Sequence, residues 1–320
     1  MHPILKRAPK GALAILGFHN ITPTFSQPQL SPDFPGRFRK LCRTIRSRYD
    51  VVTVSEGMRR VQEGVPADRP MLAFIFDDGY ADTANCVMPI MKSEGLVGTS
   101  YIIVDALEHG TLPWYEELGR LVYRMKGGTL NFEMKGHTFS FQIPDSVDQR
   151  EFVFWHITRE MKKYFDATTH GLVKDLQVEY KVTASDEEAR DMMMTPDLAK
   201  TLLDASFEVG CHSWTHPILP TLGDADLDHE IVDSKPYLEG LIDHEVTSFC
   251  YPNGDNDERC IERAERAGYI CAVSMACGAN LPQTTEPYRL KRAAMSEEIT
   301  WMWPYKTAYH VHAALAAEPS

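Results

Sequence analysis

The run Met71-Leu72-Ala73-Phe74-Ile75-Phe76 is apolar at every position and is cut off at once by Asp77-Asp78-Gly79. Such a run, bounded by turn residues, reads as a fully buried strand. Leu13 to Phe18 reads the same way, ended by His19 and Asn20. Around these two the chain alternates short apolar runs with longer amphipathic ones. The pattern predicts a helix over Phe38 to Tyr49, a strand over Val51 to Val54 and a helix over Glu56 to Glu63. A helix over Thr83 to Ser93 follows, with Asp82 near its start and Gly95 closing it, then a strand over Gly98 to Val104. The rhythm resumes near Pro196: helix to Ala205, strand Phe207 to Cys211, helix Asp226 to Ile242, strand Val246 to Tyr251, helix Asp257 to Ala267 and strand Tyr269 to Val273. Repeated strand–helix pairs imply a parallel sheet, and about seven such strands can close into a distorted (β/α) barrel.

Between Asp105 and Met194 this rhythm is broken. Thr129 to Met134 and His137 to Ile143 flank Lys135-Gly136 as a hairpin, and helical patterns follow at Asp148 to Tyr164 and Leu172 to Tyr180. The expected organisation is therefore a barrel formed by residues 11–104 and 195–294, an α+β insertion at 105–194 and a C-terminal segment at 295–320. A length of 320 residues suits one large α/β domain carrying an insertion. Hydrophobic residues at 43% and charged residues at 24% argue against global disorder.

A net charge of -12 disfavours nucleic acid, whose binding rests on neutralised phosphates. The seven cysteines (Cys42, Cys86, Cys211, Cys250, Cys260, Cys271 and Cys277) are odd in number and lack CxxC spacing. They read as free thiols of a reducing compartment. Lys6, Arg7 and Lys10 precede an apolar run too short for a signal peptide, and no run reaches transmembrane length. These features suggest a cytoplasmic protein, or one working at the membrane surface.

Three constellations carry chemistry, each at the end of an expected strand, where β/α barrels place their active groups. Asp77 and Asp78 are adjacent carboxylates. Partly buried, they repel each other unless a cation joins them, so that one binds a metal and the other serves as general base. The alternative is a turn with a helix cap. His212 and His216 are four apart, the spacing that sets two imidazoles on one face of a helical turn and converges them on a metal. The alternative is two unrelated surface histidines among 12 in the chain. Taken together, Asp78, His212 and His216 form a two-imidazole, one-carboxylate set of the kind that leaves a catalytic zinc open to water, with Asp77 free to take a proton. The third constellation, Phe249-Cys250-Tyr251-Pro252-Asn253-Gly254, is a strand running into a turn that can aim N–H groups at an oxyanion, or simply turn the chain.

In this order the three motifs resemble the polysaccharide deacetylase family, the NodB-homology or carbohydrate esterase family 4 group, across Leu13 to Arg292. The resemblance implies a distorted barrel with one divalent metal on Asp78, His212 and His216, Asp77 as base and an oxyanion N–H at Asn253. Zinc is the expected ion, and the set also accepts cobalt, nickel, manganese or iron. Two departures matter. Many members open the third motif with an arginine that orients the base. Cys250 stands near that place, as in the FAYPYG-like subgroup, and Arg292, in a stretch resembling the closing strand, is a substitute. Many members also carry a late Leu-x-Leu-His whose histidine is the acid. In circularly permuted members that strand comes first, which makes His19 the candidate acid, or else a strand-end cap. Tyr80 and Trp214 are candidates to line the cleft or stack on a sugar. The implied reaction removes an N-acetyl group from an amino sugar. The rival readings are hydrolysis of a non-sugar amide and a non-catalytic carbohydrate-binding protein.

Overall fold

A computed structural model describes residues 11–65, 68–166, 168–182 and 186–295. The Lys6, Arg7 and Lys10 cluster and residues 296–320 of the expected C-terminal segment lie outside the described residues. The two apolar runs that dominate the sequence are strands β1 (Leu13–Phe18) and β3 (Met71–Phe76), every residue of each buried. They pair in parallel over their whole length, from Leu13 opposite Met71 to Phe18 opposite Phe76. Strands buried on both faces need an apolar residue at every position, which is why these two read so plainly.

The other strands are β2 (Asp50–Val51), β4 (Thr99–Ile102), β5 (Gly128–Met134), β6 (His137–Ile143), β7 (Glu208–Cys211), β8 (Ser248–Cys250), β9 (Cys271–Val273) and β10 (Ala293–Ala294). The main sheet runs β10-β1-β3-β4-β7-β8-β9, with β2 against the start of β3, and all its pairings are parallel. The last stretch of this sheet joins its two edges. Leu290 bonds β9 through Ala272 O and Ser274 N, both at 2.9 Å, and five residues later Met295 N donates to Gly17 O at 2.7 Å. The sheet is thereby drawn into a distorted barrel. Alternation along the strands divides the core accordingly. Leu13, Ile15, Met71, Ala73 and Ile75 join Tyr101, Cys271 and Leu290 inside, while Leu16, Phe18, Leu72, Phe74 and Phe76 pack outward. The outer layer includes Phe38, whose ring meets Phe18, Phe74 and Phe76 edge-on.

Several boundaries differ from the sequence reading for local reasons. The segment expected as a strand to Val54 stops at Val51, because Thr53 caps a helix, Val54–Glu63, by accepting from Glu56 N. The expected helices at Thr83 and Asp226 each contain a π-helical turn, Thr83–Val87 and His229–Asp233. The first of these precedes Pro89, whose ring has no N–H to give. Helices Val104–His109, Trp114–Arg124 and Asp186–Met192 form where no helix was expected.

Residues 114–182 gather a second hydrophobic cluster. β5 and β6 form the antiparallel hairpin, with Lys135 (φ 47°) and Gly136 (φ 77°) left-handed as a tight turn requires. Trp114, Leu118, Phe132, Phe154, Ile157 and Val173 fill the cluster. Buried Arg150 braces it, donating to the carbonyls of Val122, Tyr123, Met125 and Pro144 at 2.7–3.0 Å. These include orphan carbonyls at the end of helix Trp114–Arg124. No helix among the described residues is long and apolar enough to cross a membrane. Arg150→Met leaves those carbonyls buried without a donor and is expected to cost about 3 kcal/mol in urea unfolding, without changing metal content.

Candidate metal centre and its cleft

The chain turns sharply at the end of β3. Asp78 adopts φ 74° and Gly79 φ 79°. A left-handed aspartate costs on the order of 1 kcal/mol and persists where its surroundings fix it. Here the turn carries the Asp78 side chain into the protein, where 1% of the residue remains exposed. Its carboxylate has no hydrogen-bond donor on either oxygen among the described residues. Two imidazole nitrogens face it instead, His212 Nε2 at 3.3 Å and His216 Nε2 at 3.5 Å from Oδ1.

The histidines do not lie on a helical turn, contrary to the sequence expectation. Residues 212–216 form a bend in which Ser213 (φ 66°) and His216 (φ 62°) are left-handed. Local bonds hold this shape. Ser213 Oγ accepts from His216 N at 3.0 Å. Glu230, from the π-helical turn His229–Asp233, accepts from Trp214 N at 2.8 Å, Thr215 N at 2.9 Å and Thr215 Oγ1 at 2.6 Å. His212 Nδ1 donates to Cys250 O at 2.7 Å, which fixes the tautomer and leaves the Nε2 lone pair facing Asp78.

The electrostatics follow. Burial opposes a charge on Asp78, but His212, His19 and His216 outweigh it and hold the carboxyl far below the ordinary range. Burial, joined by His212 and Lys162, pushes His216 down to about 3, so that ring stays neutral. Burial also opposes a proton on His212, but Cys250 and the two aspartates raise its pKa. Asp78, His212 and His216 thus offer three ligand atoms within 4.8 Å of one another. A buried carboxylate with no hydrogen-bond donor on either oxygen, faced by two imidazole nitrogens, fits a divalent cation.

Asp77 is equally buried but differently paired. Its Oδ2 accepts from Arg292 Nη1, and Cys250 Sγ lies 3.7 Å from Oδ1. Burial resists its ionisation, while Arg292 and His212 more than compensate and lower its pKa. Arg292 belongs to the barrel-closing segment and also donates to Met275 Sδ at 3.0 Å.

The cleft over this floor is lined by His19, Tyr80, Tyr115, Phe154, Trp155, Lys162, Asn253 and Met275, besides the residues already described. His19 is exposed at its side, on a loop that Asp82 anchors by accepting from Ile21 N at 2.7 Å and Thr22 N at 3.0 Å. Tyr80 donates its hydroxyl to Glu116 Oε1 at 2.6 Å. Trp214 lies off the cleft, its ring stacked 4.2 Å from His229 and 4.6 Å from Tyr237. Tyr115, Phe154, Trp155 and Lys162 were not singled out as site residues in the sequence. The i, i+4 spacing of Phe154, Thr158 and Lys162 marks a helix face, and an aromatic face ending in lysine was the available signal.

A family model described as polysaccharide deacetylase matches residues 148–272, which include His212, His216 and Asn253. Over that stretch the chain is similar to the polysaccharide deacetylase family. Similar solved structures agree on the fold. Streptococcus pyogenes deacetylase PplD, solved in complex with acetate, is 14% identical with a TM-score of 0.60, covering 93% of this chain and 98% of that one. IcaB from Ammonifex degensii is 13% identical with a TM-score of 0.57, covering 93% and 97%. The BpsB deacetylase domain from Bordetella bronchiseptica is 13% identical with a TM-score of 0.54, covering 90% and 98%. Among curated proteins none matches the chain. The bonds that shape the histidine bend support His212 and His216 from behind. Glu230→Ala is expected to weaken zinc binding about 10- to 100-fold in a chelator competition.

Proposed function

We propose that this chain is a metal-dependent hydrolase that removes an N-acetyl group from an amino-sugar-containing glycan or glycoconjugate, releasing acetate. The reading rests on one observation: a buried, donor-free Asp78 carboxylate beside two imidazole nitrogens, with Asp77 next to it paired to an arginine. Asp78, His212 and His216 would hold the cation. Two imidazoles and a carboxylate favour zinc, with cobalt, nickel, manganese and iron as alternatives. Bound there, the ion supplies Lewis acidity, polarising the acyl carbonyl and making water nucleophilic at neutral pH.

The chain's own residues do the rest. Asp77 takes a proton from the attacking water. Arg292 keeps Asp77 ionised and fixes which oxygen faces the cleft. The backbone N–H at Asn253 faces the oxyanion as the carbonyl carbon becomes tetrahedral. His19 delivers a proton to the leaving nitrogen, so that acetate and a free amine result. Residues 11–104 and 195–294 form the barrel that carries these groups. Residues 105–194 form an insertion whose helix Val147–Lys163 walls the cleft. Tyr115 and half-exposed Trp155, backed by buried Phe154, give that wall flat apolar surface, which suits the C–H face of a sugar ring. This wall supports a sugar substrate over a small non-sugar amide. Tyr80 contributes to the lining. Trp214 is left with a packing role.

Acetate release from a panel of N-acetylated mono- and oligosaccharides tests the proposal. Asp77→Asn is expected to lower kcat about 10²- to 10⁴-fold while zinc content stays unchanged. Full activity in that variant would remove Asp77 from the mechanism. Arg292 holds the Asp77 pKa down, and the base works only when ionised. Arg292→Met therefore raises that pKa, and the acidic limb of the kcat/KM profile is expected to move to higher pH. An unmoved limb would show that another group sets it.

A further inference from the structure

Helix Val147–Lys163 does more than wall the cleft. Lys162 Nζ donates to the side-chain oxygen of Asn253, Oδ1. An ammonium group has donors and no acceptor, so this bond settles the orientation of the Asn253 amide. Oδ1 faces the lysine, and the NH2 group faces away from it. That nitrogen, Nδ2, is buried and has no partner among the described residues. Both residues line the cleft that holds Asp77, Asp78 and His216. A buried amide donor left unpaired is unfavourable, a cost removed when an acceptor arrives with a ligand. The acceptor this donor suits is an oxygen gaining negative charge. The lysine cation behind the amide polarises it, which strengthens the donation from its far end.

On the N-deacetylase reading, we propose that Asn253 Nδ2 is a side-chain donor to the acyl oxygen of the substrate, and that Lys162 is the positioning residue that holds the amide in its donating orientation. The donor adds to the backbone N–H of the same residue. One asparagine in a left-handed turn (φ 55°) then meets the oxyanion from two sides. The positioning group comes from the segment that interrupts the barrel, so an activity element is contributed by the wall and not by the floor alone.

Asn253→Asp separates this role from a purely structural tie. Aspartate tolerates the left-handed turn and keeps an oxygen for Lys162, while the NH2 donor becomes an oxygen. With zinc-loaded protein, Asn253→Asp is expected to lower kcat about 100-fold. Zinc content and melting temperature should stay unchanged. Lys162→Met is expected to lower kcat about tenfold with little change in KM, and Lys162→Arg to restore most of it. Acetate binding, followed by calorimetry, provides a readout independent of turnover. Asn253→Asp should weaken it about tenfold or more, since a carboxylate replaces a donor beside an anion. If Asn253→Asp keeps both kcat and acetate affinity, the pair only ties helix to turn and the inference is overturned. If no N-acetyl sugar is turned over by the parent protein, the functional reading fails separately. The calorimetry still decides the inference, which then stands on weakened acetate binding and falls if the parent binds no acetate or the variant binds it equally.

Discussion

An ionised carboxylate stripped of water and given no hydrogen-bond donor is among the costlier things a protein interior can hold, worth several kcal/mol against folding. Asp78 is held in this condition, on a left-handed residue at the end of a fully buried strand. Nature's ordinary remedy, an arginine, is present at the neighbouring residue's carboxylate, where Arg292 is committed to Asp77. What faces Asp78 instead is a pair of ring nitrogens. Two adjacent aspartates have thus been given different partners, one a guanidinium and the other a set of electron-pair donors. That division fits a cation completing the second group, and it gives the two carboxylates different surroundings without any difference in burial.

The closure of the barrel and the pairing of Asp77 depend on the same stretch of chain. Leu290 lies against β9 and Ala293–Ala294 against β1, so Arg292 is carried into the interior between them. The arginine is 4% exposed, and its own charge is kept through Asp77. Its role therefore depends on a long-range contact, 215 positions from its partner along the chain. The sequence offered only a likeness to a closing strand and an arginine that could replace one missing from the third motif. Such a pairing is legible in a sequence as a candidate, because nothing local to Arg292 says what it will face.

Other features divide along the same line. β1 and β3 were readable to the residue because burial on both faces leaves no freedom of composition, and the hairpin because Lys135-Gly136 is a turn by backbone chemistry. The juxtaposition of Asp78, His212 and His216 was readable because their side chains are chemically specific and sit at strand ends. Their local conformation was not. Spacing suggested a helical turn for His212 and His216, but a bend built on two left-handed non-glycine residues leaves no mark in hydrophobic periodicity. It is stabilised by Glu230, whose value comes from three donors in another segment. Trp214 shows the converse. It stands between the two histidines in sequence, yet the bend turns it outward to His229 and Tyr237.

The wall of the cleft must be as rigid as its floor if it is to contribute to catalysis, since a loosely held donor loses orientation with each fluctuation. Two buried ties supply that rigidity. Arg150 gathers four carbonyls within the second hydrophobic cluster. Glu116, fully buried at the start of helix Trp114–Arg124, accepts from Ser26 N at 2.8 Å, Ser26 Oγ at 2.6 Å and Tyr80 OH at 2.6 Å. Burial raises its pKa, while these donors pull it back. Ser26 lies on the loop after β1 and Tyr80 on the turn after β3. One carboxylate therefore pins the wall to both loops that carry His19 and the aspartate pair. Tyr80 spends its hydroxyl on this tie, which leaves its ring to line the cleft and its polar end to hold the two halves of the site in register.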